Sequence, residues 1–150
     1  MITIISGGQT GVDQAALRVA KELGFPTGGT APYGWQTDEG RYPGLADFGL
    51  VASPFNGYRV RTRDNVRNAD LTLWFGEESP GYRCTIGACQ DYQKPYLINA
   101  DARRIYDSIH TRQAQIVNVA GNRLRTNPQA AAQAILVLTD VLTRIRGEAQ

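Results

Sequence analysis

The densest group of potential ligand-binding residues is Ser6-Gly7-Gly8-Gln9-Thr10-Gly11, between a short apolar run and an amphipathic segment. Glycines in a strand-to-helix turn let an anion approach backbone N–H groups, and the helix N-terminus adds a favourable dipole. The Thr10 hydroxyl supplies one more donor, so a phosphate or other oxyanion is the expected guest. The turn lacks Gly-Lys-Ser/Thr, and its glycine spacing is not Gly-x-Gly-x-x-Gly, which excludes a Walker A loop and the dinucleotide fingerprint. On its own, such a turn can equally be a packing device.

A second group is Arg59-Val60-Arg61-Thr62-Arg63-Asp64-Asn65. Arginines at alternating positions cannot all face one way on a helix, so one or two point to a site and the rest are solvated. If a helix begins near Thr62, then Arg61, Thr62 and Asn65 fall on one side. Two further turns share the small-residue character: Ser79-Pro80-Gly81, with Thr85 one turn onward, and Ala120-Gly121-Asn122-Arg123. Asp13, Asp38, Glu39, Asp64 and Asp91 are the acids near these turns. None forms a pair with opposed environments that spacing alone identifies as acid and base.

Composition narrows the chemistry. The 150 residues carry 16 cations against 14 anions, for a net charge of +2, too little for a nucleic-acid or membrane surface. Of those cations 14 are Arg and 2 are Lys, a bias that suits bidentate oxyanion binding, although ordinary surface ion pairs account for most of them. The single His110 and the two cysteines, Cys84 and Cys89, cannot make a zinc site, and His110 falls in a segment that has the pattern of a surface helix. The cysteines are five apart, about 140° around a helix, which disfavours an intrahelical disulfide. No signal peptide or long apolar run is evident, so a cytoplasmic location is expected, with no metal held directly by protein ligands.

The elements that must position these turns follow from periodicity. Met1 to Ile5 predicts a buried strand, and Val12, Ala15, Ala16, Val19, Ala20 and Leu23 fall at helical spacing before the stop at Gly24. Leu71–Phe75 and Pro95–Asn99 predict two more strands around a helix over Tyr82–Gln93, and Gln115–Val119 a fourth. Asn127 and Pro128 open a last helix with an apolar stripe at Ala131, Ile135, Leu138, Leu142 and Ile145. Alternating strands and helices predict one α/β domain over residues 1–150, a Rossmann-like, doubly wound, mainly parallel sheet with helices on both faces. Gly28 to Tyr58, rich in Gly, Pro and aromatics, fits neither pattern and is expected to be a functional loop packed on the sheet or a ligand. In an open parallel sheet the turns after the strands share one rim, where ligands bind.

The ordered set GGQTGVDQAAL (Gly7 to Leu17), Gly28-Gly29 with a later Asp-Glu-Gly and Tyr42-Pro43, YRVRTRDNV (Tyr58 to Val66), LTLWF, SPGYRCT, Lys94-Pro95 and NVAGNR resembles the molybdenum cofactor carrier protein family, a branch of the lysine-decarboxylase-like (LOG-like) Rossmann superfamily. The resemblance spans about residues 1 to 126. It implies a cleft at the carboxyl ends of the strands that binds the molybdenum cofactor, or molybdopterin, a phosphorylated pterin carrying an oxo-molybdenum group, or a bare molybdate or tungstate oxyanion. By motif position the implied binding residues are Gly7, Gly8, Gln9, Thr10, Gly11, Arg61, Thr62, Asn65, Ser79, Gly81, Thr85 and Arg123. The chain departs from the family at Pro80-Gly81-Tyr82, where relatives often have Gly-Gly-Thr, and at Leu124-Arg125, where they tend to be small and acidic or hydroxylic.

The function this implies is binding and carriage of a small anionic ligand rather than catalysis, with molybdoenzymes as recipients and neither nucleic acid nor membrane as partner. A homo-oligomer, dimer or tetramer, is expected because Ile135, Leu136, Val137, Leu138, Val141 and Leu142 spread around a wide arc of the last helix. Two alternatives come from the wider superfamily: a nucleoside-monophosphate phosphoribohydrolase, whose PGGxGTxxE signature is absent here, and a module that senses a nucleotide without turning it over.

Overall fold

The β-branched run Thr3–Ile5 forms β1, deep in the sheet, and Gly7 to Gly11 turn the chain into α1 (Val12–Glu22). The computed structural model describes residues 1–148. The next strands are β2 (Thr27–Ala31), the short hairpin β3 (Gln36–Thr37) and β4 (Gly40–Arg41), and β5 (Leu50–Ala52). Then come α2 (Tyr58–Arg67), β6 (Leu71–Phe75), α3 (Pro80–Asp91), β7 (Tyr96–Ile98), α4 (Ala102–Arg112), β8 (Ile116–Gly121) and α5 (Pro128–Glu148).

Six strands pair in the order β5-β2-β1-β8-β6-β7, every pair parallel. The chain builds outward from β1 to β5, crosses to β6 and β7, and returns with β8 into the gap between β1 and β6. Strand order therefore reverses at β1 and β8, and the turns after these two strands bound the crevice where an open parallel sheet takes ligands. One face carries α1, α4 and α5 over a core that includes Val12, Val19, Leu71, Val117 and Leu138. On the other face Val66 of α2 packs with Ala88 and Cys89 of α3. The α/β doubly wound architecture expected from the alternation is the one observed.

The largest departure from the sequence pattern is in Gly28 to Tyr58. Its two ends are sheet strands, β2 and β5, and only the middle leaves the sheet, as the β3–β4 hairpin between two 3-10 turns, Tyr33–Trp35 and Pro43–Phe48. Gly29 sits in β2 with φ 127°, where a Cβ would collide with the Ser6 carbonyl oxygen, so a residue of low strand propensity is required in this strand. The excursion is anchored by Leu45, fully buried with Leu17, Ala31 and Leu50.

Smaller corrections concern element ends. The second helix begins at Tyr58 rather than near Thr62, and the third at Pro80 rather than Tyr82. The last strand runs on through Ala120 and Gly121. On α5 the buried stripe is Ala130, Ala131, Ala134, Leu138, Val141 and Leu142, while Ile135 turns outward at 43% exposure. Cys84 and Cys89 on α3 are free thiols, as their spacing predicts.

Candidate functional site

The turn after β1 is closed on itself. Ser6 Oγ donates to the Asp13 carbonyl at 2.9 Å and accepts from Gly8 N–H at 3.3 Å. Gln9 N–H donates to Asp13 Oδ2 at 3.2 Å, and Thr10 N–H to Gln9 Oε1 at 3.0 Å. Gly11, with φ 86°, brings the backbone so near Asn122 and Leu124 that a Cβ would collide with both. Three amides of this turn are thus engaged by the chain's own side chains, and the Asp13 carboxylate takes the anion position at the start of α1. Of the amides predicted to hold an anion, those of Gly8, Gln9 and Thr10 are already engaged from within.

What stays open lies beside the turn, toward α2 and α3. A cavity of about 70 Å³ is lined by Gly7, Gln9, Asp13, Arg61, Trp74 and Thr85, with Tyr58, Thr62, Asn65, Gly81, Asn118 and Arg123 also at its walls. Lobes of about 270 and 340 Å³ adjoin it, and Tyr58 and Arg123 border all three. Ser79, Gly81 and Arg125 edge the first lobe, and Tyr33, Asp38 and Asn56 the second.

Arg61, only 6% exposed, enters this cavity from α2. Its Nη1 donates to the Gly7 carbonyl at 3.1 Å and stands 3.8 Å from Asp13 Oδ2. Burial pushes the Asp13 carboxyl up to about 6, against the pull of Arg61, the Gln9 amide and Arg123. Burial also lowers the Arg61 value, with Asp13 opposing it. Two buried N–H donors of residues lining the cavity, Arg61 Nε and Trp74 Nε1, have no hydrogen-bond partner among the described residues. Unpaired buried donors are costly, and an electronegative group placed among them relieves that cost.

The predicted residues divide into three groups. Gly7, Gln9, Arg61, Thr62, Asn65, Gly81, Thr85 and Arg123 all reach the cavity wall. Ser79 lies at the adjoining lobe and caps α3, its Oγ accepting from Tyr82 N–H at 3.1 Å. Gly8, Thr10 and Gly11 do not line these spaces: Gly8 packs against Leu45 and Leu50, and the buried Thr10 hydroxyl has no hydrogen-bond partner among the described residues. Asn65 reaches the wall mainly as a clamp, accepting from Thr30 N–H at 2.8 Å and donating to Thr30 O at 3.1 Å. Of the neighbouring arginines, Arg63 turns away to Asp91 at 3.0 Å and Arg59 is exposed.

Sequence reasoning passed over Trp74, Asn118 and Tyr58. Asn118 left a signal, a lone amide within the apolar run Ile116–Val119, where a polar side chain has to meet something polar. Trp74 left none, since its ring suits a buried strand and only its indole N–H marks it. The Tyr82 ring packs edge-on against Trp74, with ring centroids 5.3 Å apart. Asp38, on the hairpin, accepts from Arg123 Nη1 at 2.8 Å, lies 3.5 Å from Arg125 Nη2, and donates its amide to Gln9 Oε1 at 2.8 Å. It ties the excursion to the rim. Among the described residues no three His, Cys, Asp or Glu side chains converge as metal ligands, and no helix is long and apolar enough to cross a membrane.

Comparison with curated proteins gives no match. Among solved structures the chain is similar to the Putative molybdenum carrier protein from Syntrophus aciditrophicus SB, at 30% identity and TM-score 0.81, over 95% of this chain and 94% of that one. The likeness to molybdenum carriers expected from the ordered motifs is therefore found in three dimensions as well. Residues 4–142 match the model of the circularly permutated YpsA SLOG family, a span from β1 into α5 that takes in the whole cleft. The chain belongs to that family.

Proposed function

We propose that this protein binds and carries a small anionic ligand, the molybdenum cofactor, with its phosphate in the cavity beside Arg61. The carrying observation is the pair of unpartnered buried donors, Arg61 Nε and Trp74 Nε1, on residues of one cavity. The name of the similar Syntrophus protein supports molybdenum as the cargo. The residues present fit such a group: Arg61, Trp74, Thr85 and the first turn of α3 at Gly81 offer donors to an oxyanion, and Tyr58 and Arg123 border the lobes that would take the rest. With no convergent metal ligands among the described residues, the metal would stay on its own pterin. Molybdoenzymes are then the natural recipients. Titration with the isolated cofactor, followed by metal analysis, should give one bound molybdenum per site, and Arg61→Ala and Thr85→Val should weaken it; unaltered affinity in both variants, or no binding, overturns this reading.

The exposed Ile135 and Leu136 on α5, at 43% and 74%, favour a homo-oligomer. A monomer mass by light scattering would contradict it.

One observation favours a second, enzymatic reading. Asp13, held near 6 beside Arg61 at the cavity wall, has the properties of a general acid or base, as a phosphoribohydrolase would need. Incubation with AMP separates the two: release of free base, lost in Asp13→Asn, establishes the enzyme, and no product at high protein concentration removes it.

A further inference from the structure

We infer that the cavity selects an oxyanion that brings a proton, a phosphate monoester or hydrogen phosphate, over one that brings none, such as sulfate or molybdate, with Asp13 accepting that proton. This rests on the cavity being an oxyanion site, as proposed above, and narrows what that site takes. It makes the phosphate of a larger molecule, and not free molybdate, the group that is recognised.

The geometry sets an acceptor among donors. Arg61, Trp74 and Thr85 line the cavity, each side chain carries a donor for an oxyanion, and Arg61 Nε and Trp74 Nε1 are buried without a hydrogen-bond partner among the described residues. Asp13 lines the same cavity at 8% exposure, and its ionised carboxylate only accepts. Oδ2 is committed to Gln9 N–H and to Arg61, whereas Oδ1 has no hydrogen-bond partner among the described residues. An oxyanion bound against Oδ1 therefore either supplies a proton between the two oxygens or leaves two acceptors in contact. Buried sites made to hydrogen-bond a group reject the analogue that lacks it, because the unmatched polar atom cannot return to water.

The proton is available on the right ligand. A phosphate monoester has its second ionisation near pH ~6, so it carries or exchanges a proton at neutral pH, and sulfate does not. The charged groups around Asp13 are Arg61 from α2 and Arg123 from the turn after β8, with the Gln9 amide from its own turn, while Cys84 of α3 faces Arg61. The two arginines attract either anion, so they supply affinity and Asp13 supplies the choice.

Calorimetric titration with inorganic phosphate, a phosphate monoester, sulfate and molybdate, using tryptophan fluorescence of a Trp35→Phe variant, which leaves Trp74 alone, as a second signal, tests this. At pH about 7.5 both phosphates should bind at least about tenfold more tightly than sulfate or molybdate, the size expected for one unmatched charged hydrogen bond. Sulfate affinity should rise as pH falls through about 6, where Asp13 takes up a proton and becomes a donor. Asp13→Asn keeps an acceptor for Gln9 N–H and offers an amide donor, so it should erase both the preference and the pH dependence of sulfate binding. Equal affinities at neutral pH, or a preference that survives Asp13→Asn, overturn the selection alone. A wild-type sulfate curve that is flat across pH 6 overturns it without any variant. Binding of none of the four anions overturns the oxyanion site, and the selection with it.

Discussion

The Arg61 guanidinium occupies the space that a side chain on residue 7 would need. Its Nη1 donates to the Gly7 carbonyl at 3.1 Å, and a Cβ built on Gly7 would collide with that nitrogen and come within 2.9 Å of Asp13 Oδ2. A missing side chain at the end of β1 thus admits the buried cation of α2, 54 residues later, to the start of α1.

Gly7→Ala should therefore displace Arg61 rather than strain the turn. Loss of the guanidinium leaves the buried Asp13 without its partner, and removing one member of such a pair costs about 3 kcal/mol. Urea denaturation should show a loss of that order, and oxyanion affinity should fall by at least about tenfold. A variant as stable as the parent and equally able to bind would mean that Arg61 is not held by this contact.

Asp13 makes stability depend on pH in an unusual direction. Its folded value of about 6 is raised above the ordinary 3.8, so the folded protein holds this proton more tightly than the unfolded chain does. The associated stability is complete below pH ~4 and is lost as pH rises through about 6. Asp13→Asn carries no such charge. Its melting temperature relative to wild type should climb between pH ~4 and ~7, a relative gain on the order of 2–3 kcal/mol. A constant difference across that range would show that the carboxyl is not desolvated.

Asn65 binds both the N–H and the carbonyl of Thr30, as a neighbouring strand would, and so fixes α2 on β2. Asn65→Ala leaves both backbone groups unpaired and should cost about 2 kcal/mol in chemical denaturation. Asn68→Ala, exposed just past the end of the same helix, should stay within about 0.5 kcal/mol. If the two cost the same, Asn65 acts at the ligand and not as a clamp.

The parts of the fold legible in the sequence are those whose own pattern decides them. β1, α1 and the stop at Gly24 follow from an apolar run, helical spacing and a glycine in the left-handed region. β2 was hidden because two of its five residues are glycines, one of which, Gly29, is required by the approach of Ser6 and not by any local preference. β5 is three residues long, too short to show a period. In the site, Arg61, Thr85 and Arg123 were legible as donors beside turns after strands. That Asp13 would satisfy the turn after β1 could not be read, because a carboxylate in the first turn of a helix also serves as an exposed group favouring the dipole. Nor could the indole of Trp74, because only the folded structure shows that its buried N–H has no partner among the described residues.

Asp38 sets how much of the rim's positive charge a ligand meets. It neutralises Arg123 at 2.8 Å and Arg125 at 3.5 Å, with side-chain exposures of 16% for the acid and 36% and 74% for the arginines. Partly exposed pairs of this kind contribute less than about 1 kcal/mol to stability, so Asp38→Asn should unfold almost as the parent does. The asparagine still accepts a hydrogen bond from Arg123, and the backbone bond from residue 38 to Gln9 Oε1 is untouched, so the hairpin stays in place. The difference is one negative charge fewer beside Arg123, which borders the cavity and both lobes. Anion affinity should then rise about threefold at low salt and return toward the parent value as salt is added. Arg123→Ala should do the reverse. A fall in affinity for Asp38→Asn would instead show that the acid acts by aiming Arg123, and that direction outweighs charge at this rim.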